Sequence, residues 1–217
     1  MTLHIGNNNI VDIRYGNQKI AKVYKGSDLV WGYVPGKVLF ETSTPGTYSL
    51  YVKCRCKLDI KIVGAGGGGG HGFMVAGQNY YWWSSGGGGS GAYVHGIKEV
   101  TAGTYTLVVG RGGAGEYKNP GGGVGSAGGS SSAFGQTAGG GKGGRGNGWV
   151  AETDLGGAGG TASTTLSYTN GKKGAGAYNS SSGCAGGASV YGGYGAGAAA
   201  NSSAPRGGNG YIKIVAV

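Results

Sequence analysis

Glycine recurs at every third position in several stretches of this chain: Gly122, Gly125 and Gly128; Gly140, Gly143 and Gly146; Gly183 and Gly186; Gly192 and Gly195. A three-residue period belongs to the extended left-handed helix of the polyproline type, which makes no internal backbone hydrogen bonds. Every amide in such a segment needs a partner elsewhere. Helices laid side by side with glycine-only faces supply one another, because bare backbones come close enough for N–H to carbonyl bonds and Cα–H contacts. One such helix alone does not form, since fixing each residue costs roughly 1–2 kcal/mol and glycine has the most freedom to lose. The sequence holds ten glycine blocks, at 64–72, 86–91, 110–115, 121–129, 139–148, 156–160, 171–176, 183–187, 192–197 and 207–210. They predict a bundle.

Only six of the 56 glycines precede Gly64, so composition marks a boundary near Val63. Collagen has a similar glycine fraction but needs strict Gly-X-Y and abundant proline; here Gly66–Gly70 is an unbroken run and there are four prolines. Simple disorder is poorly matched as well, because solvated chains are charged and aromatic-poor, whereas this one is 12% charged and 10% aromatic. The net charge of +10 forms no basic block, a distribution that serves solubility and loose attraction to anionic surfaces rather than nucleic-acid binding. No stretch of 18 apolar residues occurs and Met1–Asn9 lacks the basic and apolar regions of a secretory signal, so a soluble, unexported chain without membrane insertion is expected. Cys54 and Cys56 sit two apart in a strand-like run, on one face and poorly placed for a mutual disulfide, and Cys184 makes the count odd; free thiols are expected.

Residues 1–36 read as a small three-stranded meander: Val11–Tyr15, Lys19–Tyr24 and Leu29–Trp31 alternate with Gly16-Asn17 and Gly26-Ser27, dipeptides favoured in two-residue hairpins. Such a unit is too small for its own core and is expected to pack on something else. It resembles the short modules found at the ends of phage tail and baseplate proteins, a likeness carried by Lys22–Trp31. From residue 37 onward, Lys37–Phe40, Thr47–Lys53 and Lys57–Val63 alternate apolar and polar residues as half-buried antiparallel strands do, and Tyr211–Val217 is expected to return to the same sheet.

Between the glycine blocks, strand-like segments (92–109, 130–136, 161–168, 211–217) alternate with loop-like ones (73–85, 116–120, 149–155, 177–182, 198–206), with 188–191 too short to classify. If each block crosses the bundle once, the loops gather at one end and the strands at the other.

The search for reaction chemistry is mostly negative. Gly64-Ala-Gly66-Gly-Gly-Gly69 satisfies G-x-G-x-x-G after a strand, but no helical period follows and the next acid is Glu99, so no dinucleotide site, and no cofactor, is expected. His4, His71 and His95 are isolated from one another and from the cysteines, which argues against a metal. Glu116, Glu152 and Asp154 would share the far end, but nothing besides loop coincidence pairs them as glycosidase carboxylates; the expectation is a protein without catalytic residues. The far end instead offers Tyr80, Tyr81, Trp82, Trp83, Tyr117, Trp149 and Tyr178 among Ser, Asn and Gly. Rigid amphipathic rings beside small adaptable polar residues make a binding surface.

The order and spacing of Thr44-Pro-Gly-Thr-Tyr48, Ile60–Gly70, Gly88-Gly-Ser-Gly-Ala-Tyr-Val94, Ser130-Ser-Ser-Ala-Phe-Gly135 and Gly207–Ile214 resemble the glycine-rich domains of phage tail-fibre adhesins and related phage structural proteins. The resemblance implies an all-β fold without α-helix over 37–217: an antiparallel jelly-roll or tumour-necrosis-factor-like sandwich fused to about ten polyglycine helices, an architecture also known in ectodomains of anaplastic lymphoma kinase-type receptors. It implies a virion protein, made in the host cytoplasm and released by lysis, whose tip loops bind a glycan or outer protein of the bacterial surface. Residues 1–36 would attach it to other virion proteins, and a homotrimer is among the assemblies open to it. The alternatives are a decoration, baseplate or head-fibre protein without its own receptor and, further off, a cell-wall glycan hydrolase.

Overall fold

The computed structural model describes residues 14–16, 18–20, 23–25, 28–76, 80–118, 122–146, 155–178, 184–200 and 205–217, with backbone alone for residues 14, 18–19, 24–25, 28–31, 73–76, 80–83 and 177–178. Among these residues there is no helix. Near the N-terminus the expected three-stranded meander is instead two separate two-stranded sheets, β1 (Arg14–Tyr15) with β2 (Gln18–Lys19) and β3 (Val23–Lys25) with β4 (Asp28–Trp31). Among the described residues no strand is shared between the two pairs.

Two five-stranded antiparallel sheets carry the apolar core. One is ordered β16 (Ser167–Thr169), β10 (Tyr93–Val100), β7 (Cys56–Val63), β18 (Tyr211–Ala216), β5 (Val38–Thr42). The other is ordered β15 (Ala162–Ser163), β14 (Gln136–Ala138), β13 (Ser131–Ala133), β11 (Gly103–Val109), β6 (Gly46–Val52). Period-2 alternation turns Leu58, Ile60 and Ile62 inward beside Val94, Ile212 and Ile214, where they meet Val52, Leu107, Val109 and Ala138 of the second sheet. The return of the 211–217 segment to the first sheet is as read from the sequence, and β18 lies between β7 and β5. Segment 161–168 is divided: β15 extends one sheet and β16 the other. The connection between them is held by buried Gln136, whose Oε1 accepts from Thr164 Oγ1 (2.6 Å) and Thr165 N (2.8 Å). Phe134 (φ 51°) and Gly135 (φ 72°) form the β13–β14 turn.

The three cysteines are free thiols. Cys54 lies in the bend between β6 and β7 rather than in a strand, and Cys56 opens β7. Burial, with Cys54 adding to it, pushes the Cys56 thiol up to about 11, so it is inert near neutral pH.

The glycine-rich stretches form ten segments outside the sheets: g1 (64–69), g2 (87–92), g3 (110–115), g4 (122–130), g5 (139–146), g6 (155–161), g7 (170–175), g8 (184–190), g9 (195–200) and g10 (205–210). Their backbones bond to one another. Along g1 the donors address three neighbours in turn: Gly64 to Ala92 O, Ala65 to Gly129 O, Gly66 to Gly208 O, then Gly67 to Gly89 O and Gly68 to Ser126 O, all 2.8–3.0 Å. Carbonyls of g1 accept from Gly113, Gly141 and Ala198, so six segments surround it. The second segment, g2, is likewise bonded to g1, g5, g6, g7, g8 and g9. The remaining eight form a ring in chain order, each bonded to the one before it and g10 closing on g3 through Gly207 N to Gly113 O and Gly210 N to Gly110 O. Registers show that g1 runs antiparallel to g2 and g4 but parallel to g3 and g5, the alternation of direction that one crossing per block requires.

Side chains follow this geometry. Every residue of g1 and g2 is buried, while exposed positions recur every third residue on the ring: Arg111 and Ala114, Lys142 and Arg145, Ala158 and Thr161, Ala185 and Ala188. Several block boundaries need correction, two of them by more than strand ends. Gly192 (φ 55°) and Gly193 (φ 85°) belong to a tight turn linking Tyr191 and Tyr194, not to an extended repeat. Residues 198–200, read as the start of a loop, belong to g9: Ala198 N bonds Gly67 O, and Ala200 is buried.

Candidate functional site

The end of g1 and g2 farthest from the sandwich carries a third sheet, ordered β12 (Glu116–Lys118), β8 (Gly70–Ala76), β9 (Tyr80–Gly86), β17 (Gly176–Tyr178). Segment 73–85 was expected to be a loop. It is an antiparallel hairpin, with Phe73 opposite Trp83 and Val75 opposite Tyr81, because Phe, Val, Tyr and Trp favour strands and g1 and g2 deliver the two arms side by side. The β12–β8 pair is parallel, Tyr117 opposite His71; β17 is antiparallel to β9, with Tyr178 opposite Ser84.

Six of the seven ring-bearing positions singled out in the sequence therefore share one sheet at the backbone level: Tyr80, Tyr81, Trp82 and Trp83 in β9, Tyr117 in β12 and Tyr178 in β17. Trp149 lies outside the described residues, as do Glu152 and Asp154. Of these rings, Tyr117 is described: it stacks on His71 at 5.5 Å between centroids and 20° between planes. His71 is buried, its Nδ1 sharing a hydrogen bond of 2.5 Å with Ser85 Oγ, and burial lowers its pKa so that the imidazole is neutral at physiological pH. Cys184 Sγ donates to Ser85 O across the base of the same sheet (3.3 Å). The sheet thus stands on a polar knot of His71 and Ser85, flanked by Tyr117 and Cys184.

Glu116 accepts from Val124 N (2.9 Å) and sits 3.4 Å from Lys118 Nζ; these partners hold its carboxyl below the usual range. It is engaged as a brace between β12 and g4. The G-x-G-x-x-G stretch, Gly64–Gly69, leads into strand β8, so no helix N-terminus faces a phosphate there.

Tyr191-Gly-Gly-Tyr194 is a turn, although Gly192 and Gly193 open the glycine block 192–197 in the sequence. It sets a stack of rings against the outer side of the first sheet: His95 on Tyr93 (4.9 Å), Tyr93 on Tyr191 (4.5 Å) and Tyr194 on Tyr211 (4.1 Å, 8°). Tyr211 donates to Glu41 Oε1 at 2.5 Å. The Gly-Gly pair between two tyrosines was the available signal, since consecutive positive φ angles make a hairpin turn; counting those glycines as part of a block concealed it. The rings cover one another's faces and so clamp g8 and g9 to the sandwich.

The sequence matches the glycine-rich domain family over residues 42–216. The chain belongs to that family. No curated protein matches it. In this glycine-rich domain the matched region takes in the second five-stranded sheet, four of the five strands of the first, all ten glycine segments and the far-end sheet, and leaves β1–β4 and all of β5 but Thr42 outside.

Proposed function

We propose that this glycine-rich domain protein is a phage structural protein acting as a receptor-binding adhesin, which recognises the host bacterial surface through the far end of a bundle of polyglycine helices. Three features support reading g1–g10 as polyglycine helices: donors that address three neighbours in turn, ring residues exposed at every third position, and no bond within a segment. The nested pairing β5 with β18, β6 with β11 and β7 with β10 supports a jelly-roll identity for the sandwich. The observation that carries the functional reading is the ring order. Laying eight segments round two central ones in chain order, with alternating direction, brings residues 70–76, 80–86, 116–118 and 176–178 to one end, and with them the positions of Tyr80–Trp83, Tyr117 and Tyr178; Trp149 joins the reading by its place in the sequence, between g5 and g6. Aromatic residues collected on a rigid support supply contact area at low entropic cost. On this reading the protein is carried on the virion, attached through residues 1–36, and has no catalytic role.

Purified protein is expected to bind cells of a host strain and to compete with the phage. Trp82→Ala and Trp83→Ala are expected to weaken binding about thirtyfold, about 2 kcal/mol, for a true anchor ring, with the melting temperature unchanged. A chain lacking residues 1–36 is expected to keep cell binding and lose its place on the particle. If the protein binds no cells yet remains on the virion, it is a decoration or baseplate component. If both tryptophan variants unfold and the folded fraction binds as before, the rings cap the bundle and the receptor surface lies elsewhere.

A further inference from the structure

Charge is distributed differently on the sandwich and on the glycine segments. On the sandwich, cations stand beside acids: Lys213 Nζ lies 3.0 Å from Glu41, Lys61 Nζ 3.6 Å from Asp59, and Arg55 pairs with Glu99. Among the described residues of g3–g10, Arg111, Lys142, Arg145, Lys172 and Arg206 stand in segments that contain no Asp or Glu. Three of these five fall on g5 and g7, which flank g6.

Backbone registers fix their arrangement. Lys142 N donates to Ala158 O (2.8 Å) and Arg145 N to Leu155 O (2.8 Å), while Gly171 N and Gly174 N donate to Gly160 O and Gly157 O. Lys142 and Lys172 therefore stand on either side of Ala158 and Gly159, and Arg145 lies three residues beyond Lys142, about 9 Å along an extended helix rising ~3.1 Å per residue. Lys142, Arg145 and Lys172 are exposed. Their backbones are tied to the buried core: Lys142 O accepts from Gly89 N, and Lys172 is held at both ends by Ser90, whose Oγ accepts from Lys172 N (2.8 Å) and whose N donates to Lys172 O (2.9 Å). The floor between the cations is Ala158, Gly159 and Gly160, with no bulk to hold a ligand away.

We infer that this flank is a binding site for a linear acidic polysaccharide, with the uronate carboxylates of successive sugars meeting Lys142, Arg145 and Lys172 along the g6 groove. A row of cations fixed on a rigid backbone suits a stiff polyanion whose charges recur along its length, and the Arg145 guanidinium offers the fork that matches a carboxylate. Single-stranded nucleic acid is the less suitable occupant, because it is held by aromatic stacking as well as charge, and no aromatic side chain occurs among the described residues of g5, g6 and g7. The site stands whether or not the far-end loops contact a receptor.

The test uses the whole chain and polygalacturonate, with neutral dextran and single-stranded DNA as comparison ligands, in low salt. Polygalacturonate is expected to bind, dextran not, and binding is expected to weaken as salt is raised. The variant Lys142→Ser/Arg145→Ser/Lys172→Ser is expected to lose at least about tenfold in affinity while melting as the parent does. Lys37→Ser/Lys57→Ser/Arg111→Ser, which removes the same charge elsewhere, is expected to bind as the parent does. Equal loss in both variants would reduce the effect to net charge and overturn the site. Failure of the parent to bind polygalacturonate overturns it as well, and tighter, flank-dependent binding of DNA overturns the choice of occupant. Cell binding is not part of the measurement, so failure here is distinguishable from failure of the adhesin reading.

Discussion

The sandwich and the glycine segments are both buried, but different atoms do the burying. Between the sheets Leu58, Ile60, Ile62, Leu107, Ile212 and Ile214 are fully enclosed by one another's side chains, and stabilisation comes from apolar surface removed from water. In g1 and g2 the enclosed atoms are main-chain amides and carbonyls, and the only side chains are those of Ala65, Ser90 and Ala92. A side-chain core tolerates exchange of one hydrophobic residue for another of similar volume. A main-chain core has nothing to exchange. A Cβ on Gly143 would run into the Gly125 carbonyl, one on Gly125 into Gly68 O, and one on Gly67 into Lys142 O.

The largest expected effect is therefore at a residue with no side chain. Gly143→Val or Gly125→Val is expected to abolish folding, a loss beyond about 4 kcal/mol, read as absence of a cooperative thermal transition. Retention of that transition would mean that the segments separate freely and that the backbone network contributes little. Next is Leu107→Ala in the sandwich, expected to cost about 2–5 kcal/mol in urea unfolding, with Leu107→Met costing less than about 1.5 kcal/mol. The contrast between a tolerated exchange there and none at Gly143 is the sharpest statement of the difference.

Ser131 joins the two regions: its buried Oγ accepts from Gly110 N at 3.0 Å where g3 leaves β11. Ser131→Ala is expected to cost about 1–3 kcal/mol, because it strands a buried amide without substantially changing volume. Smaller still is an alkaline effect of the tyrosine stack. Burial, with Tyr191 and Asp59 adding to it, pushes the Tyr93 hydroxyl up to about 12, against an ordinary value of 10.0. A raised pKa means that the folded state holds the proton more tightly. Its contribution is complete below pH 10 and is lost as pH climbs from 10 to about 12. Urea midpoints are expected to fall over that window, and to fall less steeply in Tyr93→Phe; identical slopes would remove Tyr93 from the account. At the bottom of the scale, Gly46→Ala is expected to change stability by no more than about 0.5 kcal/mol, since the added methyl meets only the Tyr48 ring at 3.5 Å.

Much of this was legible because glycine spacing is a direct imprint of backbone contact. The blocks, their alternating direction and the strands of Leu58–Ile62 and Tyr211–Ala216 all follow from period and alternation. The far-end sheet was not legible, because 73–85 has no clean alternation: Met74, Gly77, Gln78 and Asn79 break it, and its strands are imposed by the two glycine arms that hold them together. The N-terminal region was read as three strands in one sheet rather than four strands in two, because turn dipeptides reveal where a chain reverses but not whether successive strands then share a sheet. The distinction between inner and ring segments was present but unread. Ala65, Ser90 and Ala92 are the only non-glycine residues of g1 and g2, whereas the ring carries Arg111, Val124, Lys142, Arg145, Lys172 and Arg206. Which cations would become neighbours depended on the ring order, which spacing alone does not contain.

The position of β18 has a consequence for the order in which the chain can acquire structure. This strand pairs with both β7 and β5, although the entire glycine region lies between β7 and β18 in sequence. Nearly every bond of g1 and g2 likewise joins residues distant along the chain. A fold composed of such closures has high contact order, gains little from its early steps and crosses its barrier late. The first sheet and the ring must close together, so a half-built intermediate has little to hold it.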